Sequence, residues 1–318
     1  MPDPAPRVLP FGEGAVAEAA RLIAAGEPVA VPTETVYGLA ADATDPKAVA
    51  RIYAAKGRPS FNPLIVHVAN LAAAEAIAGF DADALALAHA FWPGPLTLVL
   101  PLREGAGVAS LVTAGLATVA IRVPAHRAMR ALLHATGKPL AAPSANRSGH
   151  LSPTRAGHVA ASLGAAVPLI LDDGPTQAGL ESTVFQGRTI LRPGPITAER
   201  IDAALHPGAG RGPVATILEN TPDRPTSPGQ LLSHYAPDKP LRLDATTADP
   251  DEWLVGFGAI AGDDNLSPAG DPVEAAANLF DALHQADASP QPRIAVAPIA
   301  LDGVGEAIND RLRRAARR

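Results

Sequence analysis

Lys56-Gly-Arg-Pro-Ser-Phe-Asn-Pro-Leu-Ile-Val-His-Val68 sets two cations, an amide and a histidine around one short apolar run. Leu64–Val66 reads as a buried strand, with Pro63 in front of it and His67 at its far end. Lys56 and Arg58 come just before, on a turn stiffened by Gly57 and Pro59 from which side chains can enter a cleft. Two fixed cations at a sheet edge suit a polyanion such as a triphosphate. An isolated K-x-R is more often a solvated loop with a salt bridge, since short motifs recur by chance. The surrounding chain has to decide.

Helical and strand signals alternate on both sides of this stretch. Helices are expected over 15–25, 46–55, 71–78, 82–91, 127–136, 155–163 and 197–205. Strands are expected at 29–31, 64–68, 96–100, 118–123, 140–142, 169–171, 183–185 and 190–192. Asp45 is a candidate N-cap with Pro46 at the first helical position, and Gly26 is placed to stop the helix before it. The pattern implies a mixed α/β domain over 1–206 with a substantial sheet. Residues 207–240 are rich in Pro and Gly without periodicity and read as a linker. From 241 to 318 the α/β signals resume as a small doubly wound domain. Its last helix carries Arg311, Arg313, Arg314, Arg317 and Arg318, and cations there suit the helix dipole.

At 318 residues and 47% hydrophobic, the chain can bury a full core and fill two domains. A net charge of −6 argues against non-specific nucleic-acid binding as the main activity, though it leaves room for a local cationic pocket. Cys is absent, which rules out disulfides and thiolate metal sites. No apolar run is long enough to span a bilayer, and the start of the chain has no apolar signal core, so no membrane association and a cytoplasmic location are expected.

Walker-type phosphate loops, G-x-S-x-G elbows and H-E-x-x-H metal spacings are all missing, and no tight metal site is expected. What the chain has instead is polar clusters at strand ends. In Pro32-Thr-Glu-Thr-Val-Tyr-Gly-Leu39 two hydroxyls and a carboxylate could line a pocket, or Thr33 could cap a turn. Pro143-Ser-Ala-Asn-Arg-Ser-Gly149 offers Ser144 and Asn146 on one side, as phosphate or ribose ligands or as an ordinary polar turn. Glu181-Ser-Thr-Val184 and Leu191-Arg-Pro-Gly194 add two more clusters. Asp172-Asp-Gly174 could bring Mg²⁺ near a triphosphate or be only a turn. Arg122 ends an apolar strand, a costly position unless it meets a carboxylate or phosphate.

Taken together, PTETVYGL, the K-x-R of KGRPSFNPL, HV, FWPGPLT, TVAIRVP, PSANRSG, ESTV and LRPG resemble, in order and spacing, the YrdC-like threonylcarbamoyl-AMP synthases over residues 10–205. Ser227–Pro237 (SPGQLLSHYAP) is similar to the linker signature of the long two-domain form, and NLFDALHQAD and GVGEAINDRLRRA more loosely to its extra domain. The resemblance implies a YrdC-like twisted mixed sheet flanked by helices, plus a small Rossmann-like C-terminal domain. It implies synthesis of threonylcarbamoyl-AMP from L-threonine, bicarbonate and ATP with Mg²⁺, releasing pyrophosphate. A tRNA threonylcarbamoyl transferase machinery would consume the product, and RNA contact by this chain would be weak at most.

On the same resemblance, Lys56 and Arg58 grip the phosphates and carry catalysis. Asn62, Thr118, Ser144, Asn146, Ser152 and Arg192 complete the ATP site, and His234 and Tyr235 fold over it as a lid. Arg122 clamps the threonine carboxylate, with Thr33, Thr35, His67, the backbone at Ala142 and Ser182 around it. Two rivals are weighed. A carbamoyl-adenylate maker of hydrogenase maturation needs acylphosphatase and zinc-finger modules that a Cys-free chain of this length cannot contain. A double-stranded RNA-binding module predicts a dominant basic face, which the net charge disfavours.

Overall fold

The computed structural model describes residues 5–206, 216–218, 227, 229 and 234–317. Its first elements are β1 (Arg7–Pro10), α1 (Glu13–Ala24), β2 (Val29–Pro32), β3 (Tyr37–Asp42), α2 (Pro46–Lys56), β4 (Ile65–His67), α3 (Leu71–Glu75) and α4 (Ala82–Phe91). There follow β5 (Leu96–Pro101), α5 (Ser110–Thr113), β6 (Thr118–Arg122), α6 (Arg127–Thr136), β7 (Leu140–Ala141), α7 (Ala156–Leu163) and β8 (Leu169–Asp172). Then come β9 (Thr183–Gln186), β10 (Thr189–Arg192), α8 (Ala198–Leu205) and β11 (Thr216–Ile217). These strands form one mixed sheet in the order β1-β8-β2-β3-β7-β4-β6-β5-β9-β10-β11.

Period-two alternation decides which helices cover which face. Val29 and Val31 of β2 join Ala19 and Ile23 of α1 and Met129 and Leu132 of α6 on one side. Leu39 and Ala41, Val66 and Ile121 pack with Ile52 of α2, Leu87 of α4 and Val159 of α7 on the other. Asp45 caps α2, accepting the Lys47 N–H at 2.8 Å, and Gly57 at φ +59 ends it. Lys56 is thereby the last residue of a helix that points at the sheet. Parallel pairing of β4 with β6 puts His67 beside Arg122, where both strands end.

Among these elements β1, β3, α5 and β11 arise where none was expected. β3 occupies a stretch read only as a polar cluster: Gly38, Ala40 and Ala41 carry little intrinsic strand preference, and antiparallel pairing with β2 and β7 imposes the conformation. Residues 216–217, inside the expected linker, pair in parallel with β10 as an edge strand. Most other linker positions lie outside the described residues.

The rest of the chain forms β12 (Leu241–Arg242), β13 (Glu252–Gly256), β14 (Asp264–Asn265), α9 (Pro272–Ala288), β15 (Arg293–Val296) and α10 (Gly305–Ala315). Its sheet, ordered β12-β15-β13-β14, is parallel throughout. Its core does not stop at its own boundary. Val36, Leu151 and Leu180 pack in the same cluster as Phe280, Leu283 and Tyr235, so this second unit rests against the loops that follow β2, β7 and β8.

Candidate active site

At one end of the cleft, Arg122 is buried and held on three sides. Its Nε donates to the Gly94 carbonyl at 3.1 Å, Nη1 to Thr35 Oγ1 at 3.0 Å and Nη2 to Glu34 Oε1 at 2.5 Å. The guanidinium keeps further N–H groups for a ligand. Burial alone would raise the Glu34 pKa, but the Arg122 charge and hydrogen bond carry it below the usual carboxylate range. Glu34 Oε2 also accepts the backbone N–H groups of Ala125 and His126, just ahead of α6. Thr33 does both things the sequence left open: its Oγ1 accepts the N–H of Thr35 and of Val36, and it lines the cleft. Burial, then the neighbouring Arg122, pushes His67 down to about 3, so the imidazole is neutral.

At the other end three buried cations converge. Lys56 Nζ donates to the carbonyls of Ser144, at 2.6 Å, and of Asn146. Arg58 donates to the carbonyls of Asn62 and Pro63 at 3.2 and 2.9 Å. Arg192 donates to the Ser182 carbonyl and, at 3.1 Å, to Ser182 Oγ, which also bonds Thr97 Oγ1 at 2.7 Å. Among the described residues none of the three forms an ion pair; all their acceptors are carbonyl or hydroxyl oxygens. Burial and then Arg58 hold Lys56 well below the ordinary lysine pKa, and burial brings Arg58 down to about 10. A set of desolvated cations without a counter-charge is an anion site.

Thr33, Thr35, Arg58, His67, Arg122, Ala142, Ser144, Ser182, Arg192, His234 and Tyr235 all line this one cleft. Lys56 and Asn146 sit behind its wall. Asn146 Nδ2 donates to the carbonyls of Arg147 and His150, shaping the loop that Lys56 moors. Ser152 is buried against Glu181. The Asn62 side chain is fully buried, and neither of its polar atoms has a partner among the described residues. Thr118 begins β6, about 13 Å along the strand from Arg122 and so at the end away from the carboxylate clamp; like Lys56, Asn62, Asn146 and Ser152 it is not among the residues that line the cleft surface.

The Asp172-Asp173 pair is also not at the cleft. Asp172 accepts from the Tyr37 hydroxyl and the Gly174 N–H, while Asp173 pairs with Arg127. Four residues that complete the site were not singled out as site residues: Glu34, Glu181, Thr97 and Arg311. The two glutamates stand inside quoted clusters. Arg311 shares a helical face with Ile308, Leu312 and Ala315, which is a legible signal of burial.

A family model described as "telomere recombination" (Sua5–YciO–YrdC) matches residues 21–194. A second, described as the C-terminal domain of threonylcarbamoyl-AMP synthase, matches residues 196–317. The threonylcarbamoyl-AMP synthase of Bacillus subtilis is 41% identical over 95% of this chain and 92% of its own length. This chain belongs to the threonylcarbamoyl-AMP synthase family. The family member from Pyrococcus abyssi is 39% identical over 94% of this chain and 93% of its own. A crystal structure of P. abyssi Sua5 complexed with L-threonine superposes with a TM-score of 0.88 at 36% identity, covering 98% of this chain and 97% of that one. Membership in the two-domain branch of the synthase family accounts for the second, parallel sheet as well as the first, mixed one. No helix among the described residues is long and apolar enough to cross a membrane.

Proposed function

We propose that the chain condenses L-threonine, bicarbonate and ATP into threonylcarbamoyl-AMP, releasing pyrophosphate, and that the product supplies the group placed on adenosine beside the anticodon of tRNA. One observation carries this: a carboxylate clamp (Arg122, Thr35) and buried cations without an ion-pair partner (Arg58 and Arg192, with Lys56 behind them) border a single cleft, and Ser182 lies in it against Arg192. The threonine bound to the P. abyssi relative supports the amino acid as the occupant of the clamp end.

The threonine nitrogen bonds to the bicarbonate carbon with loss of water, giving a carbamate. A carbamate oxygen then attacks the α-phosphorus, and the bond to the β-phosphate breaks. No covalent nucleophile is required. Arg122, Thr35, Ser182 and the Ala142 backbone orient the amino acid, with Thr33 bracing Thr35. His67, neutral and weakly basic, accepts a hydrogen bond rather than a proton. Lys56, Arg58 and Arg192 neutralise charge that builds on the phosphates, and Asn62, Ser144, Asn146 and Ser152 supply or position their hydrogen-bond partners. Thr118, at the start of β6, is assigned with them to the nucleotide side. His234 and Tyr235 close the cleft against water, which would hydrolyse the carbamate. The two cleft carboxylates are committed, Glu34 to Arg122 and Glu181 to Arg311, so Mg²⁺ is treated as arriving with ATP rather than as a resident ion.

The decisive measurement is pyrophosphate release with single omissions. Release should require threonine, bicarbonate and ATP-Mg²⁺ together; release that persists without threonine would sink the proposal. The burial of all three cations is unlike the exposed basic face an RNA-binding module presents.

A further inference from the structure

Arg311 lies in the last helix of the chain and is fully buried. Its Nε donates to Glu181 Oε2 at 2.7 Å, its Nη1 to Asp310 at 2.6 Å and its Nη2 to the Pro193 carbonyl at 2.9 Å. The guanidinium carbon is 5.0 Å from the centre of the Tyr235 ring. Apart from the bond to Asp310, these contacts reach a cleft residue or its neighbour. Glu181 accepts from Ser152 through its other oxygen, Pro193 follows Arg192, and Tyr235 lines the cleft itself. Burial works against the charge on Arg311, and its surroundings of Tyr235, Glu181 and Asp310 more than offset that. A planar fork making three divergent bonds and stacking on a ring is a geometry that lysine cannot reproduce.

We infer that Arg311 is a positioning residue of the nucleotide half of the cleft, through which the C-terminal unit takes part in the reaction. This rests on the function proposed above. It assigns α10 a task beyond capping its own domain: one cation fixes Ser152 through Glu181, Arg192 through Pro193 and the Tyr235 ring directly. Of the amino-acid contacts only Ser182, beside Glu181, stands near it; Thr35, His67 and Arg122 make no bond with Arg311.

The test compares Arg311→Lys, Glu181→Gln, their double variant and Leu312→Ala, a buried apolar α10 residue without a polar bond to the cleft. Arg311→Lys should raise the ATP KM about tenfold, leave the threonine KM within about twofold, and weaken binding of a non-hydrolysable ATP analogue in calorimetry in parallel. The double variant should be little worse than either single one, because the two residues act as one unit. Leu312→Ala should lower the melting temperature without moving the ATP KM. An unchanged ATP KM in Arg311→Lys, additive losses in the double variant, or an equal KM rise in Leu312→Ala would each overturn the inference. Should Arg311→Lys fail to fold, Glu181→Gln decides alone, with the same expected ATP effect and the same overturning result. Calorimetry with the analogue reads this inference even if wild-type pyrophosphate release shows the catalytic proposal to be wrong.

Discussion

Arg122 shows how two opposing requirements meet in one side chain. A guanidinium at the end of an apolar strand must be compensated when the cleft is empty and must still have donors to offer when a carboxylate arrives. Glu34 supplies the first and the uncommitted N–H groups the second. Removing the arginine outright would leave Glu34 buried and unpaired, which costs about 3–5 kcal/mol and confuses binding with folding. Arg122→Lys keeps the charge and loses the fork. It should raise the threonine KM about tenfold or more while the ATP KM stays within about twofold. Steady-state kinetics with each substrate varied in turn checks this; equal rises would mean that the carboxylate is held elsewhere. Glu34 itself was hidden in the sequence because a carboxylate between two threonines reads equally well as a pocket wall or a turn. Its role depends on the approach of β6 from nearly 90 residues away.

At the scale of the elements, the segment from His234 to Ala236 is tied into the wall of the cleft. Ala236 N–H bonds the Gly149 carbonyl at 2.8 Å, which ties it to the loop after Asn146. Tyr235 adopts φ +63 while almost fully buried, a left-handed conformation that only tight surroundings impose on an aromatic residue. Gly229 is also left-handed at φ +87, and a Cβ there would stand 2.6 Å from Arg192 Cδ and 2.8 Å from the Tyr235 hydroxyl. Gly229→Ala must therefore displace an arginine on the anion site or the ring that covers it. Pyrophosphate release at limiting ATP should fall about tenfold, with the threonine KM little changed. A variant with wild-type ATP kinetics would show that the segment does not need this close approach.

At the scale of the whole molecule, titration reports how the cleft and the domain contact are buried. His67 is held near 3, and His158, stacked on His284 of α9 with ring centres 3.8 Å apart, near 4. In both, burial is the foremost cause. The folded pKa values lie below the ordinary histidine value, so between them and about 6.5 the unfolded chain binds more protons. Stability therefore rises with pH across that window and is lost as pH falls toward 4. For His67 the slope is about 1.4 kcal/mol per pH unit. Urea unfolding at a series of pH values should show the slope, and His67→Asn should flatten it by about that amount. An unchanged slope in the variant would mean that His67 is protonated in the folded state.

The sequence alone determined most of the α/β alternation and the family. These depend on periodicity, on local start and stop signals such as Asp45 and Gly26, and on residue clusters whose order survives without knowledge of their partners. It could also name Lys56, Arg58, His67, Arg122, Ser182 and Arg192, because cations and polar groups stand out at the ends of apolar strands. Tertiary structure alone decided which of these face one another. The parallel register of β4 and β6 set His67 beside Arg122, and strand rise put Thr118 at the far end of the same strand. It also turned an arginine cluster that suits a helix dipole into two kinds of residue. Arg313 and Arg314 stand in the last turn, whereas Arg311 is drawn to Glu181, 130 positions away in the chain. A charge's partner is a long-range fact, set by packing, and no local pattern encodes it.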